Sequence, residues 1–285
     1  MRRELRFGVI TIQNVPWPTL AERWQHLDEL GFDSAWVADH FTNYRNKAEP
    51  WMECWTLLSA LANSTRRIRV GTMVTSITFH NPAVLARQAL TVDHVSGGRL
   101  ELGIGAGGAP SDHDMTGVPY WDPPERASRL REFTEVVDRM LRNEETTYRG
   151  HHYRVKNANM RPAPVQRPRP PLTLAAWGPK TLRVAAEYAD SWNFAPVNPE
   201  LSPEQNLEET ARRNRMLDDY CLELGRDPAG INRSLPVFPR ASDAPFASDE
   251  PSTTSSESTG KSVSTSSSST GGVKTRWSTV TIARW

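Results

Sequence analysis

Phe32-Asp33-Ser34-Ala35-Trp36-Val37-Ala38-Asp39-His40-Phe41 is an apolar run that ends on an acid and an imidazole. Just before it, residues 19–30 carry apolar side chains at helical spacing and stop at Gly31, the residue that most easily takes the left-handed turn closing a helix. A helix that feeds a continuous apolar strand marks a buried parallel strand. In α/β proteins chemistry collects beyond the carboxyl ends of such strands. Asp39 and His40 stand at that end, where an imidazole can take or give a proton near neutral pH. The plainer reading makes Asp39 a loop cap and His40 a structural hydrogen-bonder; the residues alone leave both open.

The alternation continues in both directions. A first strand covers 5–12, and the strand just quoted is the second. A helix is expected over about 51–63 and a third strand over Ile68–Val74. Asn81-Pro82 opens a helix that stops at Ser96-Gly97-Gly98, with Asn at the cap and Pro at the first helical position. A fourth strand is Leu100–Gly105. A loop over 106–124 precedes a strong helix over 125–142. Residues 146–170 read as an insertion, a short Tyr148-to-Val155 hairpin followed by a proline-rich connector. Strand five is Leu172–Ala176, with a helix at about 180–188. Strand six is Ser191–Phe194, with a helix at about 203–224, and strand seven is about 234–238. Strands alternating with helices predict parallel βα units, most naturally an α/β (β/α)8 TIM barrel. An open doubly wound sheet is the alternative; its dinucleotide-binding version is weakened because no G-x-G-x-x-G follows strand one.

At 285 residues the chain can bury one large core. Its 34 Lys plus Arg balance 33 Asp plus Glu, so bulk charge gives no argument for nucleic acid or an anionic membrane. Cys54 and Cys221 fit neither a disulfide framework nor a metal spacing and suit a reducing, cytoplasmic setting. No apolar stretch is long enough to span a bilayer. Asp112-His113-Asp114 has the residue types of a metal site, but no further ligands at metal spacing accompany it, so a solvated loop and no metal are expected. His151-His152 is expected to face solvent in the inserted hairpin.

Past about residue 241 the pattern collapses. Ser and Thr supply almost half of 241–285, with no period, and the plain expectation is a disordered polar tail. The genetic code offers another. Ser codons TCN read one nucleotide earlier become NTC, for Phe, Leu, Ile or Val. One allowed back-translation of 257–271 gives Glu-Tyr-Arg-Glu-Val-Gly-Val-Asp-Glu-Phe-Val-Leu-Tyr-Trp, which is a helix end, a Gly stop and an apolar strand. The tail from about 240–250 is therefore suspected to be an out-of-frame product, leaving a barrel domain at 1–240 that is incomplete at its C-terminus. A barrel without the eighth unit would be open between strands seven and one, with edges that invite aggregation.

Four segments fall at strand ends: Asp39-His40-Phe41, Gly71-Thr72-Met73-Val74-Thr75-Ser76, Gly105-Ala106-Gly107-Gly108 and Ala175-Ala176-Trp177-Gly178-Pro179-Lys180-Thr181. Small residues admit close backbone approach, and the last segment opens a helix whose N-terminus, beside Lys180, can bind phosphate. Together they describe a pocket for a flat, phosphorylated cofactor. Bland readings remain: core for Met73 and Val74, a flexible loop for Gly105–Gly108, packing for Trp177, and a charged outer face for helix 125–142.

Taken in order, Gly31-Phe32-Asp33-Ser34-Ala35-Trp36 into Asp39-His40-Phe41, Gly71-Thr72-Met73-Val74, Asn81-Pro82-Ala83, Ser96-Gly97-Gly98-Arg99-Leu100 and Ala189-Asp190-Ser191-Trp192-Asn193 resemble the bacterial luciferase-like oxidoreductases. The likeness covers about 5–238. It implies a (β/α)8 barrel, a flavin or deazaflavin over strand three, and a non-prolyl cis peptide at Met73–Val74. It implies a cytoplasmic enzyme that is commonly a homodimer, acting on a small molecule, with no nucleic-acid or membrane partner. The deazaflavin-dependent sugar-phosphate dehydrogenase branch carries the same Asp-His-Phe, which implies that Asp39 contacts the cofactor and His40 is the catalytic residue. Met73, Val74, Ser76, Ala106, Gly107, Ala175, Ala176, Trp177, Gly178 and Lys180 complete the expected cofactor site; Tyr44 is a candidate pocket wall, and Arg126 or Arg129 a candidate partner for the cofactor's phosphate or side chain. That branch has an acid where this chain has Gly108, which argues against the same substrate. The expected activity is hydride transfer with coenzyme F420. The alternatives are an FMN-dependent monooxygenase using reduced flavin and dioxygen, a metal-dependent barrel hydrolase built on Asp39 and His40, and a catalytically impaired cofactor-binding truncated protein.

Overall fold

A computed structural model describes residues 5–43, 46–194, 201–237 and 279–283. The chain opens with strand β1 (Arg6–Thr11), helix α1 (Trp17–Leu30) and strand β2 (Ser34–Val37). Leu20, Trp24 and Leu27 form the buried face of α1, and Gly31 closes it at φ 90°, a conformation in which a Cβ would be strained. Next come α2 (Cys54–Ser64), β3 (Arg69–Thr72), β4 (Thr75–Ser76), α3 (Pro82–Val95) and β5 (Leu100–Gly105). Asn81 accepts the Ala83 amide and Pro82 stands at the first turn of α3. Helix α4 (Pro110–Thr116) and helix α5 (Pro123–Arg142) lead to the hairpin β6 (Glu145–Arg149) and β7 (Arg154–Asn159). The remainder is β8 (Leu172–Ala175), α6 (Pro179–Tyr188), β9 (Ser191–Asn193), α7 (Pro203–Glu223), β10 (Asn232–Val237) and β11 (Thr279–Ala283).

All pairings in the main sheet are parallel. They run β1 to β2, β2 to β3, β3 and β4 to β5, β5 to β8, β8 to β9, β9 to β10, β10 to β11, and β11 back to β1. The ring is therefore closed, and the fold is the expected α/β barrel. Residues 238–278, between β10 and β11, lie outside the described residues. The expected gap between strands seven and one is corrected, because Thr279 pairs with both Arg6 and Ser234. Thr279-Val280-Thr281-Ile282 is a run of β-branched residues in which polar and apolar alternate, and the period of two of a half-buried strand is present even in this Ser/Thr-rich tail. The rest of the tail lies outside the described residues.

Between strands and helices lies one large apolar core, from Val9 through Phe133 to Ile231. Trp36 and Ile10, with Met73 against them, form a second, small cluster. Trp36 has room because its neighbours on β1 and β3 are glycines: a Cβ on Gly8 would come within 2.8 Å of its Nε1, and one on Gly71 within 2.6 Å of its Cζ3.

Candidate active site

The strand that decided the fold delivers its Asp-His pair into a network of buried polar groups. Gln13, fully buried, donates its amide to the Ala38 carbonyl at 2.7 Å and accepts the Ala38 N–H at 3.2 Å. The chain is thereby clamped one residue before Asp39. Trp51 Nε1 donates to the His40 carbonyl at 2.8 Å. Asp39 is buried, and its Oδ2 accepts the Ser76 N–H at 2.9 Å and pairs with His80 Nε2 at 2.8 Å. His40 Nδ1 pairs with Asp112 Oδ2 at 2.8 Å, and Asp112 Oδ1 accepts the Phe41 N–H at 3.2 Å. Close by, the Cys54 thiol is pushed well up by burial, reinforced by the Asp39 and Glu53 charges, so it is an inert thiol rather than a nucleophile.

A cavity of about 800 Å³ lies over these groups, inside the range of cofactor sites. Of the twelve residues expected in the site, eleven line it: Asp39 and His40 just after β2, Met73, Val74 and Ser76 where β3 passes into β4, Ala106 and Gly107 after β5, and Ala175, Trp177, Gly178 and Lys180 at the β8–α6 junction. The Met73–Val74 peptide is cis. Ala176 is the exception. It is buried in the core, its N–H bound to the Asn193 carbonyl and its carbonyl to Trp192 Nε1, because in an extended segment its side chain alternates away from those of Ala175 and Trp177. Gly107 has φ +64°, and a Cβ there would stand 2.8 Å from Ser76 Oγ and run into Thr78 Oγ1; only glycine lets the loop lie this close to these side chains. Trp177 is held through its carbonyl by Arg213 and packs its ring on Phe194 at 5.1 Å. Arg126 reaches the cavity and stacks over Tyr120 at 5.2 Å, while Arg129 instead stacks on Trp121 at 4.3 Å. Tyr44 lies outside the described residues.

Asp112-His113-Asp114, expected as a solvated loop, is corrected. Asp112 and His113 are buried on α4, and Asp112 joins the cavity wall. The local sequence hides this because the acid's partner is 72 residues away. The one usable signal is Pro110 and Gly117 bracketing a single short helix, which turns one face of the segment inward. Of the hairpin pair, His151 is exposed and His152 hydrogen-bonds Ser128 at 2.9 Å.

A closed parallel barrel with a large cavity at the carboxyl ends of its strands, lined by small residues and one histidine, defines a cofactor-type (β/α)8 barrel. Residues 5–245 match the luciferase-like monooxygenase family, and the chain belongs to it. An F420-dependent glucose-6-phosphate dehydrogenase of Amycolatopsis mediterranei is 33% identical over 58% of this chain and 49% of its own length. The 4-hydroxyprotoasukamycin monooxygenase of Streptomyces nodosus subsp. asukaensis is 30% identical over 70% of this chain and 52% of its own. The chain thus spans about half the length of the curated relatives it matches. The fold matches an F420-dependent secondary alcohol dehydrogenase in complex with an F420-acetone adduct, with a TM-score of 0.72 and 23% identity over 84% of this chain and 69% of that one.

Proposed function

We propose that this protein is an F420-dependent oxidoreductase that moves a hydride to or from a small organic substrate. The observation that carries this reading is the convergence of four strand ends on one cavity with His40 in its wall. The residues fit the group: Ala106 and Gly107 present nothing larger than a methyl to the cavity, Met73 and Val74 line it at their cis peptide, and Lys180 stands in the first turn of the ten-residue helix α6. Pro179 has no N–H, so the Lys180 and Thr181 amides and the Lys180 ammonium are the donors a phosphate would meet there. When bound, a deazaflavin supplies the hydride acceptor or donor. Asp39 is held by Ser76 and His80 to contact it, and His40 handles the proton that accompanies the hydride.

A reduced-flavin monooxygenase with FMN is the second reading. It is favoured by the monooxygenase among the relatives. Anaerobic turnover separates the two. With oxidised F420 and a panel of alcohols and sugar phosphates, the first reading expects bleaching of the coenzyme without dioxygen; bleaching by none of them while FMN turns over with dioxygen sinks it.

The remaining assignments belong to the same reading. A homodimer is expected, and the two unpaired, buried cysteines suit a reducing cytoplasm. No helix among the described residues is long and apolar enough to cross a membrane. The tail from about 240–250 is read as an out-of-frame product, supported by the family match, which stops at residue 245. The coding DNA decides it: an early stop in the neighbouring frame, or no apolar strand there, removes the idea.

A further inference from the structure

We propose that Asp112 is a positioning residue for His40: its carboxylate fixes the imidazole as the Nδ1–H tautomer, so that Nε2 is the nitrogen that exchanges the reaction's proton. The inference rests on the F420 reading for its chemistry, but its structural half stands on geometry alone. Asp112 is 3% exposed, and a carboxylate that deep needs partners for both oxygens. It has them in His40 Nδ1 at 2.8 Å and the Phe41 N–H at 3.2 Å. A carboxylate only accepts, so Nδ1 must carry the hydrogen of that bond, and in the neutral ring Nε2 then holds the lone pair.

Asp39 and His80 form the other His–carboxylate pair here, also at 2.8 Å, but through Nε2. The two pairs have opposite order at the cavity. Asp39, the residue offered to the cofactor, has a histidine at its back. His40, the residue offered to the reacting centre, has a carboxylate at its back. A bound deazaflavin would supply the hydride acceptor for an alcohol oxidation; the part of His40 would be to take the substrate's O–H proton on Nε2 as the C–O bond becomes C=O. His40 becomes imidazolium beside Asp112, which keeps its charge; the reverse reduction returns the same proton. This division of labour between an imidazole and a buried acid is a general solution for keeping one tautomer.

A merely structural role, tying α4 to the end of β2, makes a different prediction. Asp112→Asn keeps an oxygen for the Phe41 N–H and turns its NH2 toward Nδ1. A structural tie survives that change, whereas the tautomer is inverted. The test is long-range 1H–15N NMR of the His40 ring in the full-length cofactor-free chain, with kcat and the F420 dissociation constant measured in parallel. Wild type is expected to show protonated Nδ1. Asp112→Asn is expected to show protonated Nε2, a kcat lower by about 10²–10⁴-fold, and an unchanged F420 dissociation constant. Asp112→Glu is expected to restore the Nδ1–H form and most of kcat. Protonated Nε2 in wild type overturns the proposal without any variant having to fold, and so does an inverted tautomer in Asp112→Asn with kcat intact. Failure of the F420 reading shows separately, as absence of F420 turnover by wild type, and leaves the tautomer measurement to be read on its own.

Discussion

At His40 three parts of the chain meet on one residue. Strand β2 brings it to the cavity, Trp51 holds its carbonyl, and Asp112 on α4 holds its ring. Replacing it with alanine removes the proton path but little of the binding surface. His40→Ala is expected to lower kcat by about 10²–10⁴-fold, the range of a lost general acid–base, and stopped-flow turnover beside a cofactor titration checks that binding is spared. Gly107 is the opposite case. Gly107→Ala places a Cβ at φ +64° against Ser76 and Thr78, which costs of order 1–3 kcal/mol of local strain. The expected readout is weaker cofactor binding with kcat at saturation largely kept.

These two residues also show how far a single sequence reaches. Asp39-His40 is legible because an apolar strand announces its own carboxyl end. Gly107 is legible as a small residue at another. Asp112 is illegible because its role comes from a contact across 72 positions, and nothing in Pro110-Ser111-Asp112-His113-Asp114 says which way the acid points. Ala176 is the converse case: the run of small residues suggests one lining segment, yet extended backbone turns alternate side chains apart.

Among the elements, α1 and the α2–β3 turn are joined by one carboxylate. Asp28 accepts the amides of Arg66 at 2.8 Å, Ile68 at 2.7 Å and Arg67 at 3.2 Å. Burial by itself would push its carboxyl up, but the amides of Arg66, Ile68 and Arg67 outweigh burial and hold it below the ordinary 3.8. A depressed value means the carboxylate stabilises the fold above its unfolded pKa, and this contribution is lost as pH falls through the folded one. Asp28→Asn should therefore lower Tm at pH 7 and flatten the loss of Tm as pH falls below the ordinary carboxylate value of 3.8. Thermal melts at several pH values check this; parallel curves for variant and wild type contradict it.

The proline-rich connector is anchored in a similar way. Asp93, fully buried on α3, accepts the Val165 and Gln166 amides and the Gln166 side chain. Asp93→Ala leaves those donors unpaired, and a cost of about 3 kcal/mol is expected in denaturant melts. The connector itself is legible from its prolines, but its anchor is not, since an acid in the last turn of an amphipathic helix looks like an ordinary polar position.

For the whole molecule, closure of the ring depends on five residues at the far end of the chain. The repeating strand–helix pattern makes the barrel legible as far as β10, because each unit carries its own apolar period. The eighth strand is illegible, since Thr279–Ala283 sits in a Ser/Thr-rich tail whose remaining composition masks it. A chain ending at residue 278 loses β11 and exposes the edges of β1 and β10, which are templates for pairing with other copies. Lower Tm and concentration-dependent light scattering are expected relative to the full chain, and identical behaviour would show that β11 contributes nothing.

The cavity is proposed to hold a deazaflavin. The most direct measurement is a competitive titration of the full-length protein with coenzyme F420 and FMN, followed by fluorescence and calorimetry. Saturable, one-to-one binding of F420, tighter than FMN and weakened by Gly107→Ala, is the predicted result. Tighter binding of FMN, or no binding of either, contradicts it.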